Sequence, residues 1–202
     1  LYIKGHMDEA AGNDYQGKTL EGLGITVLAT QYTYENDSFG NTYDENAMVT
    51  AADYDALAKA VKSGGLIKLG ADVDARAPLT FGGDAHLDLA GKTLNNTSDI
   101  WAGNDWSLLS AQNGVDVVID GNGTVKAKEN DCYAVDVQDG SAVTIKNGTF
   151  VGNIHAVYVY EGTAIIEGGT YSVQQKYPDA SKADEFVLNC YDSSYKNGTA
   201  KI

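Results

Sequence analysis

The stretch AVDVQDGSAVTIKNGTF, residues 134–150, and the AVYVYEGTAIIEGGTY that follows at residues 156–171 decide the fold. Laid over one another, they read as strand, Asp-Gly-like turn, strand, Asn-Gly-Thr-like turn and short strand. LLSAQNGVDVVIDGNGTV and PLTFGGDAHLDLAGKTL fit the same unit with one or two residues of slippage. The closing phrase occurs five times and places a threonine at 93, 124, 149, 170 and 199, with spacings of 31, 25, 21 and 29 residues. A repeat of this length that keeps its turn while its loops vary marks a solenoid.

Within each unit the apolar residues alternate: Val135 and Val137, Val143 and Ile145, Val157 and Val159, Val117 and Ile119, Leu87 and Leu89. A period of two puts one face of each strand inward and the other outward. Too little helical pattern separates the strands for βαβ units. Coils of roughly 21 to 31 residues stacked about 4.8 Å apart therefore predict an all-β parallel β-helix. The Gly and Asn residues at the corners supply the positive-φ backbone that sharp bends need.

The 202 residues are 43% apolar, with 23 Gly and 2 Pro, enough for one elongated domain to bury a core without staples. No apolar run approaches the roughly 20 residues of a membrane span. Against 28 acidic residues stand 14 basic ones, giving a formal charge of −14. Nucleic acid is excluded as a partner, because its affinity comes mainly from Lys and Arg neutralising phosphates. An acidic polysaccharide would be repelled unless a divalent cation bridged it. The charge suits a soluble extracellular or cell-surface protein. Cys132 and Cys190 lie in units two coils apart, roughly 9.6 Å by strand spacing and beyond the reach of a disulfide. Both are expected to be buried thiols.

Ahead of the coils, residues 1–7 read as a tag and cloning scar, so native sequence is expected to begin near Asp8 with any export signal removed. Residues 8–47 contain a strand around residues 25–29 and a polar loop. Residues 48–64 hold a short amphipathic helix at residues 51–61, with Thr50 as N-cap, Tyr54, Leu57, Ala58 and Val61 on one face, and Gly64 as the stop. A solenoid must close its open end, and this helix is placed to cap it. Residues 65–202 form the coils, and the fresh turn at residues 194–202 leads us to expect a natural chain that continues, or an end that pairs with another copy.

The helix, the GGLIKLGADVD that follows it and the repeated GT turns resemble the right-handed parallel β-helix proteins of the pectate-lyase-like superfamily, over about residues 48–202. GKTLEGLGITVLATQYTYENDSFGNTYDENA resembles a segment of exported proteins from gut Gram-positive bacteria, as in the TasA and camelysin group of matrix-fibre proteins. The first resemblance implies a right-handed sense; the second implies export.

Uronate lyases of the superfamily combine acidic Ca²⁺ ligands with an Arg or Lys base on an exposed strand face. Here Arg76, the only arginine, precedes the repeats, and the outward column Ser110, Asp136, Tyr158 with its neighbour Gln112, Gln138, Tyr160 contains no base. A hydrolase needs two carboxylates about 5 to 9.5 Å apart, while Asp88, Asp116 and Asp136 belong to different coils. We therefore assign no catalytic residue and no resident metal. The loop Glu35–Asn41 departs from a calcium loop at Phe39 and Asn46, which leaves Ca²⁺ a minor expectation. His86 and His155 read as isolated.

Binding is the better expectation. Outward Tyr158 and Tyr160 beside Asp136 and Gln138, supplemented by Trp101 and Trp106 and by Tyr177, form a candidate sugar face, where rings stack and polar groups bond. The expected function is a structural, adhesive or carbohydrate-contacting module. The alternatives are a polysaccharide lyase or glycoside hydrolase, and a fibre subunit that self-associates through its β-helix ends.

Overall fold

The computed structural model describes residues 47–101, 106–176, 186–191 and 200–202. The strand expected at residues 25–29, the calcium-like loop and Tyr177 lie outside them. Among the described residues the chain, after one initial strand and a helix, winds through three parallel sheets in rotation, and the winding is right-handed. Sheet one stacks β1 (Val49–Ala51), β2 (Gly65–Leu69), β5 (Ala85–Asp88), β8 (Asp116–Asp120), β11 (Ala142–Ile145) and β14 (Thr163–Ile166). Sheet two stacks β3 (Val73–Asp74), β6 (Thr93–Asn95), β9 (Thr124–Lys126), β12 (Thr149–Gly152) and β15 (Thr170–Val173). Sheet three stacks β4 (Leu79–Phe81), β7 (Ser107–Ala111), β10 (Tyr133–Gln138), β13 (Val157–Tyr160) and β16 (Leu188–Tyr191).

The repeat register holds residue by residue. Thr93, Thr124, Thr149 and Thr170 are direct neighbours in sheet two. The fifth phrase departs from this pattern: Lys201, two residues past Thr199, bridges Thr163 of sheet one, whereas Val151, two residues past Thr149, lies in sheet two. Thr199 itself lies outside the described residues.

Inside, each sheet supplies unbroken apolar columns. Ile67, Leu87, Ile119 and Ile145 run down sheet one, Val73, Leu94, Val125 and Phe150 down sheet two, and Phe81, Ala111, Val137 and Val159 down sheet three, each at most 2% exposed. Burying such side chains contributes roughly 1.5–3 kcal/mol each, the principal term holding the coils together. In sheet three this last column ends on Cys190, which is exposed because β16 is the edge strand of its sheet. The expectation of two buried thiols therefore holds for Cys132 alone.

The helix α1 (Tyr54–Ser63) starts later than expected. Thr50 lies in β1, paired with Lys68, and Asp53 is the N-cap, its Oδ1 accepting the Ala56 N–H at 2.9 Å. The Asp53 carboxylate satisfies one orphan donor of the first turn, which leaves Thr50 free to extend sheet one. Leu57, Ala60 and Val61 are buried, Tyr54 and Ala58 pack against the core at its margin, and Gly64 ends the helix. Arg76 is used structurally, with its guanidinium 4.7 Å over the Tyr54 ring and 2.6 Å from Asp55. No helix among the described residues is long and apolar enough to cross a membrane.

Candidate aromatic corner

The corners are unequal. Sheet one passes to sheet two in three or four residues, and sheet three returns to sheet one in two to four. From sheet two to sheet three the connections are residues 75–78, 96–106, 127–132, 153–156 and 174–187. The uneven repeat spacing thus arises mostly at one corner, and insertions that stack on one edge of a solenoid are where such folds carry recognition surfaces. The short turn between β12 and β13 depends on Gly152, where a Cβ would sit 1.6 Å from the His155 carbonyl oxygen.

Aromatic rings collect at this corner. Tyr133, His155 and Phe186 each stand two residues before the first inward residue of their strand, so they align as a column, with ring centres 4.8 Å apart for Tyr133 and His155 and 6.2 Å for His155 and Phe186. Tyr158 lies 5.3 Å from Tyr133 and 5.4 Å from His155. Trp101 and Trp106 stack on each other at 5.7 Å and close the cluster over Tyr133 at 5.8 and 6.1 Å. Tyr133 and His155 are buried, while Trp101 and Phe186 are 40% and 52% exposed. A second stack, Tyr160 on Tyr191 at 5.6 Å, continues along sheet three.

Polar groups hold these loops in place. The buried Asp131 carboxylate accepts from Asn96 Nδ2 at 2.5 Å, from Ile100 N at 3.1 Å and from Trp101 N at 3.1 Å. His155 Nδ1 faces the Phe186 carbonyl at 2.9 Å, which only accepts, so that nitrogen donates, and Nε2 receives Asn189 Nδ2 at 3.1 Å. Burial, with the Asp136 carboxylate and then Tyr160 and Tyr191, pushes the Tyr158 phenol up to about 12. Beside the corner, on its sheet-two side, a cleft of about 260 Å³ is lined by Asn95, Asn96, Lys126, Lys128, Glu129 and Gln174.

Of the expected sugar-face residues, Tyr158, Tyr160 and Gln138 sit on the outer side of sheet three and are half-buried, and both tryptophans join them. Asp136 differs: it is 1% exposed, wedged between Ser110 and Tyr158 in its column, with Gln138 Nε2 donating to its Oδ2. Alternation told outward from inward; it did not tell exposed from covered. Sequence reasoning missed Tyr133, His155, Phe186 and Asp131. The first three were within reach of a repeat alignment carried two residues further upstream, where YAV, HAV and FVL superpose. Asp131 carried no such signal.

Sheet one holds another grouping. Lys68, Asp88 and Asp120 are successive neighbours, and His86 Nε2 lies 3.9 Å from Asp120 Oδ2. Asp116 starts its strand and aligns with Ala142, so it stands apart from the neighbouring Asp88 and Asp120. One oxygen of each carboxylate is engaged by its own corner, Asp88 by Ala90 N at 2.8 Å and Asp120 by Gly121 N at 2.7 Å. Among the described residues no group of three or more His, Cys, Asp or Glu is disposed to hold a metal ion.

No protein-family model matches the chain, and neither the curated proteins nor the solved structures include a significant match to it.

Proposed function

We propose that this protein is an extracellular or cell-surface glycan-contacting module that engages sugars at the aromatic corner and does not turn them over. The observation that carries the reading is the concentration of rings at the one corner where the coils are lengthened, with Trp101 and Phe186 presented to solvent. Apolar ring faces next to amide and hydroxyl groups suit the alternating CH faces and hydroxyls of a sugar. Tyr158, Tyr160, Trp101, Trp106 and Gln138 are the contacting set, with Tyr191 presenting the outer face of the ring stack it forms with Tyr160, and Asp136 supports Tyr158 from below. The net charge of −14 favours neutral glycans over acidic ones. The test is affinity electrophoresis against mixed-linkage β-glucan, galactomannan, xylan and polygalacturonate, with and without calcium. Retardation on a neutral polymer that is lost in Trp101→Ala is expected.

Two specific observations favour second readings. Lys68, Asp88, Asp120 and His86 gather acid, base and cation across neighbouring coils, as a lyase or hydrolase would require. Release of reducing ends or unsaturated products from the same polymers, abolished in Asp120→Asn, would favour that reading. Exposed large apolar residues concentrate at the two ends of the coil stack, with Met48 and Val49 at one and Ile165, Leu188, Tyr191 and Ile202 at the other. Concentration-dependent growth in sedimentation would favour end-to-end assembly.

A further inference from the structure

We infer that Asp131 is the positioning residue of the aromatic corner, the group that fixes Trp101 over Trp106. Residues 96–100 lie outside the strands, so the direction in which Trp101 leaves the coil is not set by a ladder of backbone bonds. Asp131 replaces that ladder. It is 2% exposed and comes from the next coil's connection, 30 residues later in the chain. Its Oδ1 receives Trp101 N and Ile100 N, and its Oδ2 receives Ile100 N and Asn96 Nδ2. Bonds to an ionised acceptor are the stronger class, and a buried carboxylate stripped of them would be strongly disfavoured, so loop and carboxylate hold each other. Asn96 extends the network, accepting Lys128 N at 2.8 Å and donating to Ser98 O at 2.8 Å. Ile100, 5% exposed, adds an apolar anchor but leaves rotation about itself open. The carboxylate removes that freedom by gripping the amides on both sides of the Ile100 Cα. The consequence for sugar contact rests on the function proposed above; the positioning itself does not.

Trp101 and Trp106 are the only tryptophans in the chain, so their spectra report on the corner alone. Asp131→Asn keeps the shape and turns one acceptor toward the N–H groups as a donor. Its expected signature is loss of more than half of the exciton couplet of the stacked indoles in circular dichroism and about a twofold rise in acrylamide quenching, with the β-sheet signal retained. An unchanged couplet and unchanged quenching would overturn the inference. Amide exchange in the unaltered protein gives a reading that needs no variant: Ile100 and Trp101 are expected to exchange at least a hundredfold more slowly than unprotected amides, and free exchange would overturn the inference equally. A lost couplet in a protein that binds none of the polysaccharides would sustain the positioning role and reject the sugar-contact reading.

Discussion

The rings of Tyr160 and Tyr191 lie one rung apart in sheet three, 5.6 Å centre to centre and within 17° of parallel. Rings stacked along the coil axis cover one another's faces and turn their edges outward, so only the last ring of a stack offers a face. Tyr191, 53% exposed, is that ring. Tyr191→Ala is expected to weaken polysaccharide retardation about tenfold, whereas Tyr160→Phe, which keeps the stack, is expected to stay within about twofold, consistent with roughly 0.5–1.5 kcal/mol per aromatic contact. Affinity electrophoresis of the two variants side by side checks this.

Phe150 is fully buried in the inward column of sheet two and stacks on Tyr171 at 5.4 Å. Phe150→Ala is expected to cost about 3–5 kcal/mol, against about 1 kcal/mol for Asp53→Ala, which removes only the helix cap. Urea denaturation of both variants tests the ordering.

Burial and the neighbouring Asp136 carboxylate push the Tyr158 phenol up to about 12, and burial does the same to Tyr171. The folded protein therefore holds these protons at a pH where the unfolded chain, titrating near 10, has begun to release them. The associated stability is fully present below pH about 10 and is lost as pH rises through about 12. Phenolate absorbance should show a late-titrating class of tyrosines, and Asp136→Asn should move the Tyr158 midpoint downward.

Cys132 is buried, and burial, reinforced by Asp131, pushes its thiol pKa well above the ordinary value, while Cys190 is exposed on an edge strand. A thiol reagent at pH 8 is expected to label one cysteine per chain in the folded state and two after unfolding in urea. Mass mapping should place the first label on Cys190.

The coils were legible because their physics is local and repeated. Val135 with Val137 and Val157 with Val159 show the inward face, and the positive φ of Asp139 and Gly140 is the turn their types favour. The first strand and the Asp53 cap were less legible, since Thr50 and Asp53 both suit a cap and pairing with β2 decides between them. At the corner, the strands that carry Tyr158 and Tyr160 could be read, but the burial of Asp136 and the grip of Asp131 on Trp101 could not. These depend on which insertions meet when the coils stack, a long-range outcome that no single repeat encodes.

The most direct test of the account is tryptophan fluorescence of the intact protein titrated with the neutral polysaccharides, because both indoles belong to the proposed contact surface. The account predicts a saturable change in emission with at least one neutral glycan, absent in Trp101→Ala and accompanied by no product release. A correctly folded protein whose emission and migration respond to none of these polymers would contradict it.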